Sequence, residues 1–224
     1  MKRTINRRAE IDPAIVSGFQ NLLAVYSVSC VVADAMERAG VVHTAIRLRC
    51  GGKIAGPAVT VRLSPGDLVD PLAALTVAAP GDVIVVDAAG ETETSVWGGL
   101  MAGLGHRRRL AGAVVDGAVR DVDEARDIGF TLFSRAVGPR ATHTAFSGRQ
   151  EPIEVNVPIH CGGVLIHPGD VVVGDEIGLV VVPHPHAQEI LARAQEQADR
   201  EEATRRRIQE GRSVEELLEE FGRL

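Results

Sequence analysis

The feature that most narrows the folds open to this chain is a pair of short apolar runs, Val83-Ile84-Val85-Val86-Asp87 and Ala113-Val114-Val115, with a small-residue helical pattern between them. Such a run, too short for a buried helix and without alternation, is the signature of a strand covered on both faces. Strand, helix and strand in that order predict a parallel sheet. Further along, Phe130–Arg135, Ile153–Ile159, Val164–Ile166, Val171–Val173 and Leu179–Val182 read as short strands, most of them divided by turns at about ten-residue spacing. That spacing predicts a second, antiparallel sheet.

The flanking segments complete an α/β reading. Ile11, Ile15, Phe19, Leu22 and Leu23 recur at helical spacing, and Ser27 or Ser29 is placed to cap a second helix reaching about Arg38. Ile54–Arg62 reads as a strand with Gly56-Pro57 as an edge or bulge near its start, and residues 71 to 79 as a helix. From Ala187 the pattern is helical to residue 224, with Ser213 and Glu216 at capping-box spacing. This charge-dense extension, 187–224, suits either a solvated face or a contact with a neighbouring subunit. With 45% hydrophobic residues over 224 positions, one domain spanning 1–224 is the expectation.

Charge and cysteine usage restrict the partners. A net charge of −6 gives no electrostatic footprint for direct nucleic acid binding. No apolar run reaches membrane-spanning length, and the basic start MKRTINRRAE is not followed by a signal-peptide core. Cys30, Cys50 and Cys161 are odd in number and widely spaced, which fits a reducing, cytoplasmic setting. Lys2 and Lys53 are the only lysines, so carbonyl chemistry through a Schiff base has one internal candidate, in a Gly-Gly-Lys loop, and a metal is the more natural agent.

Residues 95 to 129 hold the candidate chemistry. Gly98-Gly99 begins a helix whose first amides, on Gly99, Leu100 and Met101, can receive a carboxylate, or else the pair is a packing contact. The strand Ala113-Val114-Val115 is read as closed by an Asp116-Gly117 turn, with Arg120-Asp121 three residues on. Asp121 reads either as the N-cap of the acidic helix start that follows or as a site carboxylate at the end of a buried strand. His184-Pro185-His186 reads as a loop rather than a ligand pair, and His106 as a charge at a helix C-terminus.

Trp97-Gly98, the segment Val115-Asp116-Gly117-Ala118-Val119-Arg120-Asp121, Gly129-Phe130, Gly138-Pro139-Arg140, Asn156-Val157-Pro158, Gly162-Gly163-Val164, Pro168-Gly169-Asp170 and Val180-Val181-Val182-Pro183 together resemble the RraA-like family. The resemblance runs from about Ser27 to Ala194. That family includes the regulator of ribonuclease E activity and metal-dependent aldolases of 4-hydroxy-4-methyl-2-oxoglutarate. The resemblance implies a three-layer swivelling β/β/α domain assembled as a trimer or hexamer, with the C-terminal helix at a subunit interface. It implies carbon-carbon lyase activity on small 2-keto acids, as aldolase or oxaloacetate decarboxylase, releasing pyruvate. It further implies Mg or Mn held by Asp121, a keto acid bound by Arg120, and the substrate carboxylate on the backbone of Gly98, Gly99, Leu100 and Met101, with Arg120 and Asp121 as the catalytic pair. The aldolase pattern has an acid where this chain has Gly99. Glu91, Glu93, Asp116 and, from a neighbouring subunit's C-terminal helix, Glu196 are the candidate replacements, and a non-catalytic regulator that binds ribonuclease E or another protein is the alternative.

Overall fold

The computed structural model describes residues 3–142 and 149–222. In chain order it contains β1 (Thr4–Ile5), α1 (Pro13–Leu22), α2 (Val28–Ala35), β2 (Arg47–Cys50), β3 (Ile54–Leu63), α3 (Leu72–Val77), β4 (Val83–Asp87) and β5 (Ser95–Trp97). There follow α4 (Gly99–Arg107), β6 (Gly112–Val119), α5 (Val122–Asp127), β7 (Leu132–Val137), β8 (Ile153–Val155), β9 (Ile159–Cys161) and β10 (Val164–Ile166). The chain ends with β11 (Val171–Gly174), β12 (Leu179–Val182), a 3-10 turn at His184–His186, α6 (Ala187–Gln209) and α7 (Val214–Phe221).

Strands β3, β4, β6 and β7 lie side by side in parallel, with β2 antiparallel on β7 and β8 antiparallel on β3. The continuous apolar character of β4 follows from its two covered faces. Ile84 and Val86 pack with Ala74 of α3, Ala102 of α4 and Ala125 of α5, whereas Val83 and Val85 pack with Ile159, Ile166, Val172 and Val181. The second group comes from the antiparallel part of the fold, the β9/β10 hairpin and the β11/β12 pair. The other faces of β11 and β12, with Val171, Val173, Val180 and Val182, pack against Phe19, Val31 and Ala194 of α1, α2 and α6. A mainly parallel sheet and a smaller antiparallel one therefore share a core, as the sequence suggested, and α6 covers the antiparallel layer.

Strand β3 serves both layers. Its first residues, Ile54–Pro57, pair with Gly174–Val171, and from Ala58 it pairs with β4. Gly56-Pro57 is thus inside the strand, with no break in register, not at an edge or bulge. Gly56 is required by proximity, since a Cβ there would lie 2.1 Å from the Gly81 carbonyl oxygen.

Three local readings are corrected. The second helix stops at Ala35, because Glu37 and Arg38 take left-handed backbone angles, and Ser27 in the N-cap position makes no side-chain cap bond. The Ile153–Ile159 run divides at Asn156, also left-handed (φ 56°), into β8 and β9. Asp116-Gly117 is not a turn but the interior of β6, where the pairing with β7 skips from Val115 to Ala118. A buried aspartate is tolerated in that strand because its carboxylate accepts bonds from Arg135 Nε and the Gly162 amide, both 2.6 Å. At the C-terminus, the Ser213–Glu216 capping box is formed in both directions. Among the described residues, no helix is long and apolar enough to cross a membrane.

Candidate functional site

Two helices start together at one end of the parallel sheet. β5 runs parallel to the last residues of β6, pairing Trp97 with Val119, and the Arg120 amide donates to the Trp97 carbonyl at 2.9 Å. Beyond that bond the two chains diverge, Gly98-Gly99 into α4 and Arg120-Asp121 into α5. The carboxyl ends of parallel strands are where open α/β sheets collect ligands, since helix N-termini with free amides converge there. Trp97 anchors the arrangement: it is buried and stacks on Phe130, with ring centroids 6.0 Å apart and planes 10° from parallel.

Asp121 departs from a simple cap of α5. It occupies the N-cap position of α5 yet makes no side-chain cap bond there. Its backbone is left-handed (φ 52°, ψ 41°), and the side chain reaches instead to α4, where Oδ2 accepts the Gly99 amide at 3.1 Å. The same oxygen lies 3.5 Å from Arg120 Nε. Both side chains are about two-fifths exposed, so the pair is open to a ligand and its mutual attraction is screened. Oδ1 accepts no hydrogen bond from the described residues.

The two glycines make room for these groups. A Cβ on Gly98 would lie 2.7 Å from Asp121 Oδ2 and 3.1 Å from Arg120 Nε. A Cβ on Gly99 would lie 1.9 Å from Glu124 Oε2. Arg120, Asp121 and Glu124 thus converge on one dipeptide. Of the three amides expected to receive a carboxylate, that of Gly99 is engaged by Asp121, while helix geometry leaves those of Leu100 and Met101 without intrahelical acceptors. The Leu100 side chain is exposed and that of Met101 buried.

Other sequence candidates serve elsewhere. Asp116 is bound to Arg135 and Gly162 as described, and Glu91 accepts the amides of Glu93 and Thr94 in its own loop. Glu196 lines a groove of its own chain between α2 and α6 with Asp34, Glu37, Arg193 and Arg200, and the role expected of it lies in a neighbouring subunit's site. Lys53 Nζ donates to the carbonyls of Leu23 (3.0 Å) and Val25, a tether for the α1–α2 connection. His106 sits in the last turn of α4, and His184 and His186 lie in the 3-10 turn. Cys161 is fully buried, and burial, with Asp116 and Asp87 nearby, pushes its thiol well above its ordinary value. Among the described residues, no three His, Cys, Asp or Glu side chains are grouped to hold a metal ion by themselves. A hard cation would therefore draw most of its oxygen ligands from water and substrate, as Mg commonly does. Glu124 was missed, although Asp-x-x-Glu at a helix start places both acids on one face.

Comparison with known proteins places the chain in a family. Residues 29–181 match the RraA-like model, described as Aldolase/RraA. A Halalkalibacterium halodurans protein, named provisionally as a 4-hydroxy-4-methyl-2-oxoglutarate aldolase, is 38% identical over 156 residues, 70% of this chain and 72% of that one. The crystal structure of Streptomyces coelicolor RraAS2, titled an unusual member of the RNase ES inhibitor RraA family, aligns with a TM-score of 0.74 at 32% identity, over 88% of this chain and 100% of that one. A protein of Pseudomonas syringae aligns with a TM-score of 0.78 at 26% identity, over 93% and 98% of the two chains. The fold, the Asp-Gly-x-x-Arg-Asp segment and the family match agree: this chain belongs to the RraA-like family.

Proposed function

We propose that the protein is a divalent-metal-dependent carbon-carbon lyase acting on small 2-keto acids, as a 4-hydroxy-4-methyl-2-oxoglutarate aldolase, an oxaloacetate decarboxylase or both, releasing pyruvate. The observation that carries this reading is the meeting of a guanidinium, a carboxylate with one unengaged oxygen and the N-terminus of α4 at Gly98-Gly99. Relatives named as aldolases support it at the level of the family.

Asp121 fits Mg or Mn, because its Oδ1 is a hard, unengaged oxygen held in place through Oδ2. Such a cation supplies Lewis-acid polarisation of the 2-keto oxygen. Arg120 orients the keto acid through paired donors and opposes the negative charge that gathers on the keto oxygen when the bond breaks. The amides of Leu100 and Met101 suit the substrate carboxylate, with Gly98 and Gly99 permitting its close approach. No lysine is needed, which agrees with Lys53 being tied to backbone carbonyls.

We take the reaction to be cytoplasmic and the enzyme to be a trimer or hexamer built from one domain per chain. Leu100 and Leu104, one turn apart and exposed on the helix that the site opens, suit a covering second copy with its C-terminal helix. Purified protein with Mg or Mn should release pyruvate from oxaloacetate or a 4-hydroxy-2-oxo diacid. Arg120→Ala should lower the rate by at least about 100-fold. No release from either substrate class would overturn the lyase reading.

The glycine at residue 99 favours a second reading, a non-catalytic regulator that binds ribonuclease E or another protein. The S. coelicolor structure titled an RNase ES inhibitor family member is the relevant relative. Retention of purified ribonuclease E by the immobilised protein, together with absence of pyruvate release, is the outcome that reading requires.

A further inference from the structure

Glu124 is not an ordinary first-turn acid. An acid at this position of α5 is favoured by the helix dipole whatever its direction. The dipole does not account for the side chain folding over α4, with Oε2 where a residue-99 Cβ would stand and the Glu124 Cβ itself 3.1 Å from that point. The carboxylate has no hydrogen-bond or ion-pair partner among the described residues, in contrast to Asp121, Asp116 and Glu91. It lies one helical turn from Asp121 and against the same glycine pair as Arg120. Gly99 and Glu124 therefore form a coupled pair: glycine at 99 is what leaves space for the Glu124 carboxylate above the α4 N-terminus.

We propose that Glu124 is a catalytic residue, the base that takes the C4 hydroxyl proton of a 4-hydroxy-2-keto acid. This rests on the lyase reading. As the O–H proton passes to Glu124, a C4 carbonyl forms and the C3–C4 bond breaks. Its electron pair moves into an enolate whose charge lies at the keto oxygen, facing Arg120. The proton then returns from Glu124 to C3, giving pyruvate and leaving the carboxylate as it began. Asp121 is poorly placed for this task, since one of its oxygens holds the Gly99 amide. Decarboxylation of oxaloacetate has no hydroxyl proton to remove, so the two reactions separate the role of Glu124 from that of Arg120.

The test compares the 224-residue chain with its Glu124→Gln variant, in Mn, on 4-hydroxy-4-methyl-2-oxoglutarate and on oxaloacetate, with calorimetric titration of oxalate as a binding readout. Glu124→Gln is expected to lower hydroxy-acid cleavage by about 100-fold or more. It should leave oxaloacetate decarboxylation within about threefold and oxalate affinity unchanged, because only proton removal is lost. Cleavage by Glu124→Gln at the parent rate would overturn the proposal alone. So would equal loss of both activities with loss of oxalate binding, the pattern of a merely structural residue. A parent protein that decarboxylates oxaloacetate but does not cleave the hydroxy acid would also overturn it. A parent inactive on both substrates would overturn the lyase reading and this proposal together.

Discussion

Asp121 holds a left-handed backbone, which costs a non-glycine residue on the order of 1 kcal/mol, and its side chain does not cap the helix it begins. Asp121→Gly should therefore change unfolding free energy by no more than about 1 kcal/mol, measured by denaturant titration, while removing pyruvate release. A residue kept only for stability would show the reverse. Asp116 is the opposite case. It is buried, paired with Arg135 at 2.6 Å and bound to the Gly162 amide, so Asp116→Ala leaves a half-buried guanidinium and a buried amide without an acceptor. A loss of about 2–4 kcal/mol is expected, discounted for the partial exposure of Arg135. The sequence drew attention to Arg120 and Asp121 through adjacency at a strand end. It could not indicate that Asp121 reaches a residue 22 positions earlier, nor that Glu124 covers Gly99, because both depend on how α4 and α5 are set side by side.

At the scale of elements, β3 carries the junction between the two sheets and Gly56 is its tightest point. Gly56→Ala would place a methyl group 2.1 Å from the Gly81 carbonyl oxygen, a backbone atom that cannot step aside. A destabilisation of about 1–3 kcal/mol or more is expected, as a lower denaturation midpoint with unchanged slope. The runs Val83–Asp87 and Leu179–Val182 were legible because both faces of each strand are covered, and that leaves an unbroken apolar string in the sequence. The extension of β6 through Asp116-Gly117 was not legible. An Asp-Gly pair is a turn signal by local propensity, and the groups that neutralise Asp116 lie 19 and 46 residues further along the chain. The Ile153–Ile159 alternation misled for a related reason: Asn156 reverses its backbone and donates its amide to the Thr60 carbonyl, ending one strand before the next begins.

Over the whole molecule, the layers of helices and sheets bury Cys161 completely beside Asp116 and Asp87, and its raised thiol pKa links stability to alkaline pH. The neutral thiol is favoured in the folded state. Its contribution is therefore fully present below the ordinary thiol value of 9.0 and is lost as pH rises from there toward the folded value. Midpoints measured from pH 8 to pH 10.5 should fall above about 9, and less steeply in Cys161→Ala relative to its own value at pH 8. Fold class was readable at this scale because strand periodicity, turn spacing and the helical C-terminus agree with one another, whereas the proposed assembly would have to cover surfaces such as Leu100 and Leu104, which a single chain leaves exposed. The central claim is that one cation on Asp121 and the guanidinium of Arg120 act on the same 2-keto acid. It is tested most directly by a crystal soaked with Mn and pyruvate. Anomalous density against Asp121 Oδ1, with the pyruvate oxygens between the metal and Arg120, is the expected result. Manganese bound away from Asp121, or pyruvate bound out of reach of Arg120, would contradict it.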